Sequence, residues 1–391
     1  MSGSARIVWT FVGDPSRDSR LLRGVRALAS LAPSTILALG AAPACPPPDG
    51  TDVRRIALVD PDSLRRSLTR AWRDTDSWAD LSSVSLVVAS DLYTLPLAAR
   101  IARRHGAPLL YDARELYSAI AALHARPATQ RFWSMLERWY MRRVDAVLTV
   151  NDAIAQILRG RFPRVPVHVI HNYPDQAYPH EADRLHRRLG LDPSTPIILS
   201  QGGLQEGRGA LIAVRAFARM GEGVLVFLGT GTLAPQITAE ASRLGCAGRV
   251  HVVEAVPSDE LLAYTASATL SLVLIEPLGR SYELSLPNKL FESIAAGVPV
   301  LASDLPEIAR VVRATGTGVV VAPDEEHVHM ALVQLMAASE LRASLRAACL
   351  LVRDRYRWDG EAERLRTLVS VMQADAGVHR VGRRREERSA Q

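Results

Sequence analysis

Lysine is almost missing from this chain. Lys289 is the only one in 391 residues, and arginine supplies the rest of the 47 basic side chains. A G·C-rich genome produces such a bias, so by itself it names no function. Cysteine is scarce as well. Cys45, Cys246 and Cys349 are scattered and odd in number. They provide neither a disulfide framework nor zinc-ligand spacing, which points to a reducing compartment. Uninterrupted apolar runs stay short of the ~18 residues that a membrane-crossing helix needs. The opening MSGSARIVWTFVG has one arginine and no long apolar core, so it reads as a first strand and not as a signal peptide. No zinc-finger spacing and no aromatic-plus-basic platform is present, which leaves nucleic acid unsupported as a partner. His105, His168 and His171 have no metal-ligand pattern, and no metal is expected.

The length suits two domains of ordinary size. The net charge of +6 is uneven: the excess lies in residues 1–180, and residues 181–391 are close to neutral. Such an excess favours an anionic acceptor or an anionic membrane surface. The plain alternative is a solvated basic face. The segment Arg131–Arg143 (RFWSMLERWYMRR) interleaves aromatic and apolar residues with arginines. It is either a core helix or a peripheral lipid-binding one.

Short apolar strands alternate with helices along the whole chain. In the first half the strands are expected at 7–11, 35–39, 55–58, 86–89, 108–111, 146–150 and 167–170. In the second half they are expected at 197–199, 224–228, 249–252, 270–275, 298–302 and 318–321. This alternation argues parallel sheets covered on both faces. The polar, proline-bearing stretch Asn172–Asp183 is the linker candidate. The expected domains are residues 1–175 and 176–370. The stretch 341–372 is read as helical, with a return toward the first domain open to it. Residues 380–391 are read as a disordered basic tail. The fold class is α/β, two Rossmann-like domains facing each other across a cleft.

Two loops carry the chemistry. Gln201–Gly209 (QGGLQEGRG) lies between a strand and the helix 210–220. Gly202 and Gly203 let the backbone approach a diphosphate, the helix start offers unpaired N–H groups, and Arg208 adds a fork of donors. The loop matches neither GxGxxG nor GxxxxGK[ST]. The second is Ser281–Glu307, where Lys289 and Glu292 stand three apart near the start of a helix that Gly297 ends. Lysine can neutralise phosphate, and a carboxylate can accept two sugar hydroxyls. An ordinary surface ion pair is the competing reading. Gly13–Arg20 (GDPSRDSR) follows the first strand and is better suited to an acceptor or to capping the next helix through Asp18 or Ser19.

The stretch Pro287–Ser303 (PNKLFESIAAGVPVLAS) resembles the retaining nucleotide-sugar glycosyltransferases of the B fold, the large family 4, in its PNKLFE-type subgroup. The resemblance covers nearly the whole chain. It implies a hexosyl-type transfer from a nucleotide diphosphate sugar to a hydroxyl acceptor, with retention, no metal and no other cofactor. Glu292 matches the second of the family's two donor-side glutamates. The first would fall at Leu284, so Glu283 or Glu276 of the EPLG stretch takes its place, Glu283 ranking first. Gly203 stands at the family's usual phosphate-binding arginine and Arg208 at its lysine. Asp112–Tyr117 (DARELY) resembles DxHELY, with Arg114 at the histidine and Glu115 retained. Asn172 and Pro174 match the junction between the domains. The resemblance thus implies Glu283, Arg208, Lys289 and Arg114 as the catalytic set. It places Gly202, Gly203, Arg208, Lys289, Glu292 and Glu276 on the donor, and Gly13, Asp14, Asp91, Arg114 and Glu115 on the acceptor side. A cytoplasmic protein is implied, at most peripheral to the inner face of a membrane. The departures at 114, 203 and 284 motivate the alternative of a catalytically impaired nucleotide- or glycan-binding partner. A nucleotide-sugar epimerase is a further reading.

Overall fold

The computed structural model describes residues 5–40, 46–48, 50–57, 64–81, 83–119, 126–175 and 181–389, with the backbone alone for 64–65 and 376–389. Cys45, Leu58, Ser63 and residues 176–180 of the expected linker lie outside the described residues. Two compact units are present. One comprises residues 1–118, 125–172 and 358–391, the other residues 119–124 and 173–357.

The first unit is built on seven parallel strands: β1 (Arg6–Val12), β2 (Ser34–Leu39), β3 (Asp52–Ile56), β4 (Val84–Ala89), β5 (Leu109–Ala113), β6 (Ala146–Thr149) and β7 (Val167–Val169). Their order is β3-β2-β1-β4-β5-β6-β7. The second unit has six: β8 (Ile197–Gln201), β9 (Val224–Leu228), β10 (Val250–Val253), β11 (Leu270–Val273), β12 (Val300–Ser303) and β13 (Gly318–Val321). Their order is β10-β9-β8-β11-β12-β13. Every expected strand is found, most within two residues. β3 begins three residues before its expected place, because Asp52 and Arg54 pair with β2 on either side of Val53 although they are charged. In each sheet the order reverses once, between β1 and β4 and between β8 and β11. Ligands of open α/β sheets bind beyond the carboxyl ends of the strands at such a reversal. The loops singled out above leave those four strands.

The central strands are buried on both faces, as apolar parallel strands must be. In the second unit one layer packs Phe217, Val214 and Leu332 against Ile198, Leu225 and Leu272. The opposite side packs Leu290, Ile294 and Ile308 against Val273 and Val300. The expected helical run 341–372 is two helices, Ser339–Val352 and Trp358–Ser389, parted at 353–357. The second of them belongs to the first unit. Trp358, Ala362, Leu365 and Val369 recur at helical spacing and pack with Leu21, Val25 and Leu28 of the helix Ser19–Leu28. Glu361, on the same helix, accepts the His171 backbone N–H at 3.0 Å. The boundary at 370 is therefore corrected: residues 358–370 were counted with the second domain, and their apolar stripe puts them on the first, the return that the sequence left open. The helical backbone also continues through the expected tail as far as Ser389. Among the described residues no helix is long and apolar enough to cross a membrane.

Candidate functional site

In the second unit the loop after β8 is braced from two sides. From β9, Gly202 N–H bonds Leu228 O at 2.9 Å and Leu204 N–H bonds Thr230 O at 2.9 Å. The contact is backbone on backbone. A Cβ on Gly229 would sit 1.9 Å from Gly202 O, and one on Gly231 would sit 2.1 Å from Leu204 O. From the β11 side, Glu276 N–H bonds Gly207 O at 2.9 Å, and Gly209 N–H bonds Glu276 Oε1 at 3.2 Å. Gly209 precedes the helix Ala210–Ala218 at φ +68°, where a Cβ would lie 2.4 Å from that of Leu274. Gly229→Ala is expected to disrupt the loop pair by at least the ~1–3 kcal/mol typical of overpacking. Its unfolding midpoint in urea should fall accordingly, and an unchanged midpoint would refute the close approach.

Arg208 lies over the Tyr282 ring, its guanidinium carbon 5.4 Å from the centroid. Tyr282 stands on a short helix, Arg280–Glu283, in a stretch expected to be loop. The Arg208 Nε is buried without a hydrogen-bond partner. Lys289, at the start of the helix Asn288–Ala295, is only 7% exposed. Burial pushes its ammonium down to about 7, and the charge of Arg208 pushes the same way, against the pull of Glu292. No hydrogen bond or ion pair engages the Lys289 ammonium among the described residues. Two cations thus stand within electrostatic reach at the carboxyl end of the sheet, each short of a partner. An anion would relieve both. The surface ion-pair reading of Lys289 and Glu292 fails on burial, since both are enclosed.

Glu292 is 9% exposed and accepts a hydrogen bond from Gln201 Nε2 at 2.7 Å. Gln201 in turn accepts from Thr265 Oγ1 at 2.8 Å. Ser293 bonds Ser271 Oγ at 2.7 Å and Lys289 O at 2.6 Å, which ties the helix to β11. The two candidates for the first glutamate part company. Glu276 reaches the loop at Gly209. Glu283 pairs with Arg280 at 3.0 Å on an exposed surface. Glu276, ranked second, is thus the one that touches the glycine loop, whereas a short helix turns Glu283, ranked first, toward its own i−3 arginine. Leu284, the counted position, is a buried apolar residue. Gly202 adopts φ +105° and Gly203 has open space about its Cβ position apart from the Gln205 side chain. Sequence reasoning missed Gln201, Gly229, Gly231 and Tyr282. The Gly-Thr-Gly after β9 was a readable signal; Gln201 and Tyr282 lie within the two loops singled out, but nothing in the sequence gave either a role.

In the first unit Asp112, at the end of β5, is gripped by Arg20, whose Nε and Nη2 reach it at 2.9 and 2.8 Å. Burial alone would raise this carboxyl, but Arg20 and Arg114 hold it below its usual value. Arg114 Nε reaches Asp112 at 3.0 Å and its Nη1 reaches Asp18 at 2.6 Å. Asp18 also caps the helix Ser19–Leu28 by accepting from Leu21 N–H at 2.6 Å. Arg114 is therefore neutralised on two sides, and its Nη2 stays buried without a partner. Arg114 thus orients two carboxylates of its own unit. Asp91, after β4, accepts from Val12 N–H at 3.3 Å and Thr94 N–H at 2.8 Å. Burial pushes it up to about 6 against those bonds and Arg114. Asp14 accepts from Ser16 N–H at 2.9 Å, a local cap. Gly13 makes the turn out of β1, and Glu115 is half-buried beside Arg114 in sequence.

These two sheets and their loops define a class, the two-domain glycosyltransferase fold known as GT-B. Residues 19–173 match the family model "Glycosyl transferase 4-like domain", and residues 195–338 match "Glycosyl transferases group 1". Between them the two matches span most of the chain, which belongs to the glycosyltransferases of this fold, and family 4 fits it. A D-inositol 3-phosphate glycosyltransferase from Acidothermus cellulolyticus is 28% identical over 198 residues, 47% of this chain and 43% of that protein. The match thus spans less than half of that relative's length. Among solved structures, sucrose-phosphate synthase from Thermosynechococcus elongatus superposes with a TM-score of 0.79 at 18% identity, covering 95% of this chain and all of that one. HepE from Anabaena, solved with UDP and glucose, gives 0.69 at 14% identity, covering 94% and 100%.

Proposed function

We propose that this protein transfers a hexosyl-type group from a nucleotide diphosphate sugar to a hydroxyl acceptor, with retention of anomeric configuration and no metal. One observation carries the reading: the buried Lys289 ammonium and the half-buried Arg208 guanidinium lie close enough to repel each other beside a glycine-lined loop, and among the described residues no carboxylate forms an ion pair with either. Such a place suits a diphosphate, and it is most useful when negative charge grows on the leaving phosphate. Glu292, held by Gln201, is suited to accept hydroxyls of the donor. The relative solved with UDP and glucose supports a uridine nucleotide as the first donor to try.

In the proposed step the acceptor oxygen attacks the anomeric carbon on the face the diphosphate leaves. The carbon–oxygen bond to phosphate breaks, and the departing phosphate oxygen takes the hydroxyl proton. Asp91 and the loop at Gly13 supply contacts for a neutral hydroxyl acceptor. Arg114 positions Asp112 and Asp18 and does not itself meet an anion. A cytoplasmic place at the inner membrane face belongs to the same proposal.

The test is calorimetric titration with UDP, GDP, ADP and dTDP, followed by hydrolysis of the matching nucleotide sugars. Selective binding of one diphosphate supports the reading. Folded protein that binds none of them overturns it, whereas tight donor binding without hydrolysis or transfer favours an impaired binding partner. Arg208→Ala is expected to weaken the bound diphosphate by about 10–100-fold, the worth of one charge-assisted hydrogen bond. Unchanged affinity would remove Arg208 from the donor site.

A further inference from the structure

The helix Pro127–Tyr140 has two unlike faces. Trp133 (6% exposed), Glu137 (2%) and Met141 (3%) recur every four residues and turn inward. Trp133 stands edge-on to Tyr93 at 4.9 Å and to Trp72 at 6.4 Å. Glu137, the one acid of the helix, is enclosed, accepting from Tyr111 Oη at 3.3 Å and pairing with Arg161 at 3.4 Å. Two residues on from each inward position, a rotation of about 200°, the opposite face begins. It carries Met135 at 71% exposure and Trp139 at 57%, the latter with the Arg142 guanidinium 5.9 Å over its ring. Arg126, Arg131, Arg138, Arg142 and Arg143 around them are all exposed. Neither Arg131 nor Arg138 has an ion-pair partner among the described residues.

Two large apolar side chains one turn apart, ringed by arginines and with the only acid turned inward, form a surface of single sign. We propose that this face of the first unit docks on an anionic lipid bilayer, with Met135 and Trp139 entering the headgroup region and the arginines meeting lipid phosphates. Charge complementarity selects the lipid, since the whole outward face is cationic. The exposed tryptophan and methionine select a bilayer over a nucleic acid, whose backbone offers no apolar layer to receive them. Trp133 and Glu137 set the rotation of the helix, so the outward side chains are presented without any change in fold. This inference stands apart from the donor site and does not depend on it.

Flotation with vesicles tests it. The full chain is mixed with vesicles of phosphatidylcholine alone and of equal parts phosphatidylcholine and phosphatidylglycerol, at low and high salt. Binding to the anionic vesicles alone, weakened by salt, is expected. Each of Arg131→Glu and Arg138→Glu should lower it roughly fivefold or more, and Met135→Ser with Trp139→Ser should lower it roughly tenfold or more. All four side chains are exposed, so the variants should keep the thermal midpoint and the diphosphate affinity of the parent, which reports their folding independently. Equal binding to neutral vesicles, binding to neither, or full binding retained by the variants would each overturn the proposal. So would variant-sensitive binding to duplex RNA in the absence of vesicle binding.

Discussion

Lys289→Ala is expected to lower turnover of the matching nucleotide sugar by about 10²–10³-fold, as loss of one preorganised donor to a developing oxyanion does. The same change should leave the protein folded. Lys289→Met should even raise the thermal midpoint below pH 7. The ammonium is buried, repelled by Arg208, and has no ion pair among the described residues. Its charge is therefore a cost to the folded state that the uncharged side chain removes. The pH dependence carries a definite sign. Folding lowers this amine from 10.5 to about 7. The unfolded chain thus binds more protons between those values, and this group makes stability rise with pH across that window. Binding runs the other way. A diphosphate favours the ammonium, so affinity should fall as pH rises above about 7. Titrations of the parent and Lys289→Met proteins across that range would check both signs. A flat affinity profile in the parent, or full turnover in Lys289→Ala, would sink the assignment.

Glu292→Ala is expected to hurt both chemistry and stability. Its carboxylate accepts from Gln201 at 2.7 Å in a buried position. Removing it leaves the Gln201 amide without that acceptor, at a cost of about 1–3 kcal/mol. Turnover should fall by about 10–100-fold through the lost charged hydrogen bond to the donor. Glu292→Gln separates the two effects. Its amide oxygen can still accept from Gln201, so the unfolding free energy should recover, while the loss of the negative charge keeps turnover low. Recovery of turnover together with stability in Glu292→Gln would make Glu292 a structural brace and not a donor contact.

These two residues also mark how far sequence reading reached. Lys289 and Glu292 were legible because a buried strand, a proline, a helix and a glycine follow one another in fixed order, and because the residues are three apart. What surrounds them was not. Gln201 and Thr265 come from separate elements, yet they form one chain of hydrogen bonds to Glu292. Glu276 and Glu283 were both available on the line of the sequence, with Glu283 ranked first. A four-residue helix turned Glu283 to Arg280 and left Glu276 at the loop. Arg114 stood out as a departure at the histidine position, but nothing along the chain marked Asp18, 96 positions away, as its partner.

The sequence by itself determined the thirteen strands, the α/β class, the two-unit plan and the loops that leave the switch points. All of these rest on periodicity and on turn residues, which act over a few positions. Tertiary structure alone decided which cations stay unpaired, which carboxylates are already taken, and where the last helix lies. Charge pairing and burial depend on groups brought together across tens to hundreds of residues. Whether Lys289 is exposed or enclosed is decided by its neighbours in space.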